Sequence, residues 1–294
     1  MEKTLLNKIN LSYNSRNYHY DNLLEINHFK ETALMAALNN NAKIKFTNQE
    51  LDYLIKNSNL FAIDLHGRTS LMLAILYNRS QNLNLTEQQW QYLIENSNLK
   101  QTDRNNFNTL MYFFNFNKDQ NINLKHRLIT YLIENSDLSQ VNNYGMNNLM
   151  FALNLNKDQD LNLTHEQFDY LIKNSDLSIQ NENGWNALLM ALFFEADEKL
   201  KLKQNQWQYL IENSDLLVQG KDCQLSVLGL IASKKTPFVD LIFDKVLSDK
   251  KFNLNNYKKD IYYQQIKETI NRLKLRKQIN DLLPATSSPS KIKL

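Results

Sequence analysis

The stretch QYLIENSNL (91–99) occurs five times with small changes. DYLIKNSNL (52–60) precedes it, and TYLIENSDL (130–138), DYLIKNSDL (169–177) and QYLIENSDL (208–216) follow. The tyrosines Tyr53, Tyr92, Tyr131, Tyr170 and Tyr209 stand 39 residues apart at every step. A fixed period between about 20 and 50 residues marks stacked supersecondary units. A unit of that size cannot bury its apolar face alone, so neighbours must stack to share a core.

One copy shows what the unit is. RTSLMLAILY (68–77) is apolar almost throughout and predicts a short, mostly buried helix. NRSQNLNL (78–85) is a polar connection. TEQQWQYLIEN (86–96) predicts a second helix, with Trp90, Leu93 and Ile94 at the i, i+3, i+4 spacing of one stripe. Thr86 with Gln89 forms a capping box, as do Thr47 with Glu50 and Thr164 with Gln167. Apolar residues flank each cap as a hydrophobic staple: Leu85 with Trp90, Leu163 with Phe168, Phe46 with Leu51. The Asn of the NS pair after each YLIE or YLIK is expected to end the helix in a left-handed conformation. A polar segment such as SIQNENGWN (178–186) then turns the chain, at Gly67, Gly145, Gly184 or, in one copy, Asn106.

The 294 residues include 5 Gly and 3 Pro, too few for a loop-rich or all-β chain. With one cysteine, Cys223, no intrachain disulfide is possible. The first twenty residues lack the apolar centre of a secretory signal, and no apolar run of about 18 residues predicts a membrane span. Charge is uneven. Residues 221–294 carry 15 Lys+Arg against 7 Asp+Glu, and residues 1–220 carry 19 against 24. Heavy use of Asn, Lys, Ile and Leu matches AT-rich genomes, including those of many intracellular bacteria.

Four inner-helix openings, GRTSLMLA (67–74), NFNTLMYF (106–113), GMNNLMFA (145–152) and GWNALLMA (184–191), resemble the opening of ankyrin repeats, a Gly followed by T-P-L-H-x-A. KETALMAA (30–37) and CQLSVLGL (223–230) look like degenerate first and last copies. The resemblance implies an all-α, ankyrin-like α-solenoid of helix-turn-helix repeats with helical capping at both ends. Its expected parts are an N-terminal cap over 1–27, about six repeats over 28–250, a C-terminal capping helix over 251–283 and a disordered tail over 284–294. There are departures. The period is 39 rather than 33, no Pro follows the turn, and the family's His is Met35, Met72, Met111, Met150 or Leu189. The hydrogen bonds that His and Thr usually make between turns are therefore expected to give way to packing, and another α-solenoid stays open as the alternative fold.

No catalytic constellation is evident, and neither enzyme activity, a cofactor nor a metal is expected. His19, His28, His66, His126 and His165 fall at different repeat positions, and Cys223 has no His in its own repeat and is expected as a packed thiol. NKDQNINL (117–124) and NKDQDLNL (156–163) lack the mid-loop Gly and terminal Glu of a calcium loop. The expected function is a non-enzymatic protein-interaction scaffold. The resemblance places partner contacts on the turn tips and the concave face: Arg68, Phe107, Met146 and Trp185 after the turns, Tyr77, Phe116 and Phe194 near inner-helix ends, and Tyr144 at a tip. The competing interpretation has these aromatics packed under the connections against Leu83, Ile122 and Leu161. The partner is expected to be a protein, with no nucleic acid and no membrane span, and the chain a monomer. By composition and analogy it is a candidate effector of an intracellular bacterium, cytoplasmic or secreted into a host without a cleavable signal. The alternative is an enzyme or a lipid or nucleic-acid binder acting through the basic C-terminal segment with Arg272, Lys274, Arg276 and Lys277.

Overall fold

The computed structural model describes residues 1–13, 19–156, 158–194, 202–222, 224–234 and 239–282. Cys223, Pro237 and the tail 284–294 lie outside the described residues. Helix α1 (Glu2–Tyr13) is followed by six helix pairs: α2 (Ala33–Ile44) with α3 (Asn48–Asn57), α4 (Ser70–Tyr77) with α5 (Glu87–Asn96), and α6 (Thr109–Phe116) with α7 (His126–Asn135). Then come α8 (Asn148–Leu155) with α9 (His165–Asn174), α10 (Ala187–Phe194) with α11 (Gln204–Asn213), and α12 (Val227–Lys234) with α13 (Val239–Ser248). Helix α14 (Tyr263–Leu282) ends the described chain.

The pairs stack in two rows. The inner row runs α1, α2, α4, α6, α8, α10, α12, α14, each packed on the next. The outer row runs α3, α5, α7, α9, α11. An inner helix meets a neighbour on either side and its own outer helix behind, so it has no polar face. Leu71 to Ile75, Leu110 to Phe114 and Leu188 to Leu192 are buried without a break. An outer helix buries only a stripe, such as Trp90, Leu93 and Ile94, and turns Gln91 and Glu95 to solvent.

Three rows of polar contacts set the register. At the turn tips, each backbone reaches the next: Arg104 N–H donates to His66 O at 2.9 Å, Asn143 to Asn105 O at 3.0 Å, Glu182 to Tyr144 O at 2.9 Å and Lys221 to Asn183 O at 2.9 Å. The tips turn on a positive φ, 80° at Gly67, 60° at Asn106, 74° at Gly145 and 77° at Gly184. Asn106, in the one copy without Gly, also donates to the Asn143 carboxamide of the next tip at 2.8 Å. Along the connections, Asn41, Asn78 and Asn117 donate to carbonyls of the following unit, at 3.0 Å for Gln81, 2.9 Å for Gln120 and 2.9 Å for Gln159. The same Gln120 and Gln159 accept backbone N–H groups in return. Along the outer helices, Gln89, Gln167 and Gln206 accept from their own cap and donate to the first residue of the preceding outer helix, Asn48, His126 and His165.

Two expectations are corrected here. The missing His is not replaced by packing alone, since these three ladders supply inter-unit hydrogen bonds. Asn108, Asn147 and Asn186 add another set: each caps its inner helix and donates to the carbonyl of Asp137, Asp176 or Asp215, 3.1 Å away in every case. Nor do the outer helices end on a left-handed Asn. Asn57, Asn96, Asn135, Asn174 and Asn213 stay helical, and each carboxamide donates to the Tyr carbonyl four residues back, at 2.8 to 2.9 Å. The helix ends because the following Ser is extended. The carboxamide gives the tyrosine carbonyl a second donor beside the helical N–H of the same asparagine, and the helix stops without a left-handed residue.

The ends are covered differently. Helix α1 lays Leu5, Leu6 and Ile9 on the first pair, and Lys8 pairs with Glu50 at 2.8 Å. At the other end Asp260 imitates a turn tip: Oδ1 accepts Tyr262 N–H at 2.7 Å, and Ile261 N–H continues the tip ladder to Gln224 O at 3.0 Å. Its other oxygen accepts Ser226 Oγ. A Cβ on Gly229 would lie 2.4 Å from that carboxylate, so this inner helix needs glycine where the cap docks. Helix α14 thus stands where the inner helix of a seventh unit would, with Ile266, Ile270 and Leu273 buried against α12 and α13.

Gly145→Ala is expected to destabilise the stack by about 1–3 kcal/mol, through left-handed strain and a Cβ 2.9 Å from Asn181 Cα. Gln167→Leu, which strips a cap and an inter-helix bond at a buried site, is expected to cost about 1–3 kcal/mol. Urea unfolding followed by circular dichroism measures both.

Candidate functional site

Each tip is built on an Asx turn. The Oδ1 of Asp64, Asp103, Asn142 or Asn181 accepts the backbone N–H two and four residues on, at 2.8 to 3.0 Å. Whether Asp or Asn stands there follows from what faces the second atom. The Oδ2 of Asp64 takes Arg68 Nε at 2.8 Å and Nη2 at 2.7 Å. The Oδ2 of Asp103 takes the Tyr112 hydroxyl at 2.9 Å. The fourth and fifth units carry neither donor at those positions and use Asn. Burial and the Asp103 charge push the Tyr112 phenol well above its ordinary value, so it stays a neutral donor.

These tips position the residues singled out in the sequence. Arg68 is turned into its own tip, its side chain 16% exposed, and holds Asp64 instead of facing outward. Tyr77, Phe107, Phe116, Met146, Trp185 and Phe194 are half-buried and packed against the core. Tyr144 is exposed. Ring contacts gather five of them into two groups, Phe107, Tyr144 and Phe116 in one and Trp185 and Phe194 in the other. Phe107 meets Tyr112, Tyr144 and Phe151 edge-on at centroid distances of 6.1, 6.2 and 5.3 Å, and Phe116 lies 5.9 Å from Tyr112. One unit further on, Phe193 lies 5.0 Å from Trp185 and 5.1 Å from Phe194. Trp185 also covers the next tip, since a Cβ on Gly220 would lie 2.9 Å from its indole nitrogen. Each of these half-buried side chains is packed in part against the core and leaves part of its surface exposed.

Several exposed apolar residues escaped the sequence reading. Phe193 is more exposed than the flanking Phe194. Near the first two tips, Leu24, Ile26, Phe61, Ile63 and Leu65 are also exposed. The signal for these was a comparison of copies: where the second unit has Phe61 and Leu65, the third has Lys100 and Arg104 and the fourth Ser139 and Asn143.

The histidines are not brought together. His66 is in a tip, His126 and His165 open outer helices, and His19 pairs with Asp21 at 3.1 Å. Among the described residues no cluster of three or more His, Cys, Asp or Glu is placed to hold a metal ion. No described helix is long and apolar enough to cross a membrane. In the basic C-terminal helix, Arg272 and Arg276 both bind Asp240 at 2.8 Å, and Lys277 binds Asp244 at 3.0 Å.

No family model matches the chain, and no curated protein matches it. Among solved structures the chain is similar to EF0377, an ankyrin repeat protein, at 17% identity over 72% of this chain and 96% of that one, with a TM-score of 0.47. It is also similar to the ankyrin repeat domain of Bcl-3, a member of the IkappaB family, at 13% identity over 82% of this chain and 98% of that one, with a TM-score of 0.49. The ankyrin-like architecture itself stands on the stacked helix pairs and the hydrogen-bonded tips described above.

Tyr112→Phe is expected to cost about 1.5–3 kcal/mol, because it removes the hydroxyl donor to the half-buried Asp103 carboxylate. Adding Asp103→Asn is expected to recover part of that loss, as in the units that carry Asn. A double-mutant cycle in urea checks both.

Proposed function

We propose that the protein is a non-enzymatic scaffold that binds a partner protein through the face formed by its turn tips and inner helices. The observation that carries this is the two clusters of aromatic residues in the third to fifth units, around Phe107 and around Trp185, with Tyr144 and Phe193 exposed. Large aromatics with one free edge on a rigid support are the usual anchors of an interface. Exposed Phe61 and Leu65 extend the apolar surface toward the N-terminal tips. A helix covers the stack at each end, which supports a monomer. The composition supports an effector of an intracellular bacterium acting on a host protein, cytoplasmic or released into the host cell.

Ion pairs engage three of the four basic residues singled out in this helix, Arg272, Arg276 and Lys277, with α13. That favours a capping role for this helix over lipid or nucleic-acid binding.

Pull-downs from eukaryotic and bacterial lysates test the proposal, with Tyr144→Ala, Phe193→Ala as the control variant because both side chains are exposed. The expected result is a host protein retained by the wild type and reduced about tenfold or more by the folded variant. Equal capture by both proteins overturns the assignment of the face. Capture from bacterial lysate alone overturns the effector role.

A further inference from the structure

The tip residue of the C-terminal cap is turned toward the preceding unit. Asp64 and Asp103 spend their second oxygen within their own units, on Arg68 and Tyr112. Asp260 instead takes the hydroxyl of Ser226, just before α12, and Ser226 Oγ in turn accepts Gly229 N–H at 2.9 Å. Asp260 and Ser226 are 5% and 0% exposed. Gly229 has no side chain, and a Cβ there would collide with the carboxylate. The cap is thus keyed into the end of the stack by a buried carboxyl group.

No cation bonds this group. Lys221 and Asp222 of the sixth turn, and Lys258 and Lys259 beside Asp260, are exposed, and the carboxylate is held only by Ser226 and by Tyr262 N–H. On α13, Asp240 and Asp244 are taken by Arg272, Arg276 and Lys277, and Lys245 donates to Glu212 O at 3.1 Å. On α14, Lys267 and Glu268 are exposed. The buried Tyr257 phenol is pushed up to about 12 by its own burial, so it stays neutral. Burial raises the Asp260 carboxyl above its ordinary range, and its hydrogen bonds offset this only in part. A carboxyl that holds its proton more firmly when docked favours docking most in acid. That advantage is lost as pH rises through the raised value.

We propose that the C-terminal cap is a proton-locked latch, in which α14 closes firmly on α12 in acid and loosens toward neutral pH. Opening uncovers Val227 to Ala232, all buried when the cap is closed. The end of the stack then offers an apolar inner helix, as each unit offers its successor. The latch lies apart from the aromatic face and does not rest on partner binding there.

Hydrogen exchange of the full chain tests the latch at about pH 7.5 and about pH 5, read over α14 as protection relative to the intrinsic amide rate at each pH. Exchange is read at α14 because Glu31 of the first unit is another buried carboxyl raised by burial, and a global melt would mix the two. Protection of α14 is expected to rise about threefold or more on acidification. Asp260→Asn keeps an acceptor for Tyr262 N–H without the charge, and is expected to hold α14 at the acid level at both pH values. Gly229→Ala is expected to leave α14 open at both. Asp240→Asn removes the partner of Arg272 and Arg276 and is expected to keep the pH response. The proposal is overturned if wild-type protection is flat or falls in acid, or if Asp260→Asn retains the response. It is equally overturned if Asp240→Asn abolishes the response, or if Gly229→Ala leaves α14 as protected as the wild type.

Discussion

The backbone hydrogen bond from one turn tip to the next sets the height of every unit in the stack. It forms only if the tip backbones approach closely, as at Gly145, where a Cβ would sit 2.9 Å from Gln180 O. That approach needs a left-handed residue, and the chain supplies Gly or Asn. Once the tips are in register, the connection asparagines and the outer-helix glutamines find their acceptors one unit away. All three ladders share one repeat, so an error in any of them would misplace the other two. Stability in such a stack is a sum of unit and nearest-neighbour terms, and these ladders are the polar part of the neighbour term.

The copies differ where a local substitute exists. The third unit has Leu128 in place of the ladder glutamine. There Lys125 and Arg127 hold Glu87 of the preceding outer helix, at 2.6 and 3.0 Å, and the pair lowers the Glu87 carboxyl below its usual range. These charges are exposed, so the clamp directs the junction more than it strengthens it. The tip residue is Asp where Arg68 or Tyr112 answers its second oxygen and Asn where neither does. A buried carboxylate is kept only where a donor faces it.

The regular stack repeats the cleft beside one connection at the next, whereas the exposed aromatics Tyr144 and Phe193 are particular to single units. The inner helices are too fully packed to carry ligands along their middle. Surface chemistry is therefore confined to their two ends, the tips and the connections, where the backbone leaves the shared core.

Much of the architecture was legible in the sequence. The 39-residue spacing, the Thr–Gln capping boxes and the alternation of an apolar helix with a striped one follow from chain-local chemistry, in which a side chain caps its own backbone or faces its own stripe. The turn residues Gly67, Asn106, Gly145 and Gly184 were readable for the same reason, since positive φ is a local demand. The tertiary structure alone decided what lies one unit away. The acceptors of Asn78 and Gln89, the side chain facing Asp103, and the exposed side of the ring at Trp185 all depend on which residues stacking brings opposite, and those partners stand about forty positions along the chain. The helix-ending asparagines show the boundary between the two. The sequence located the stop, but the helix ends at an extended serine and not at a left-handed asparagine.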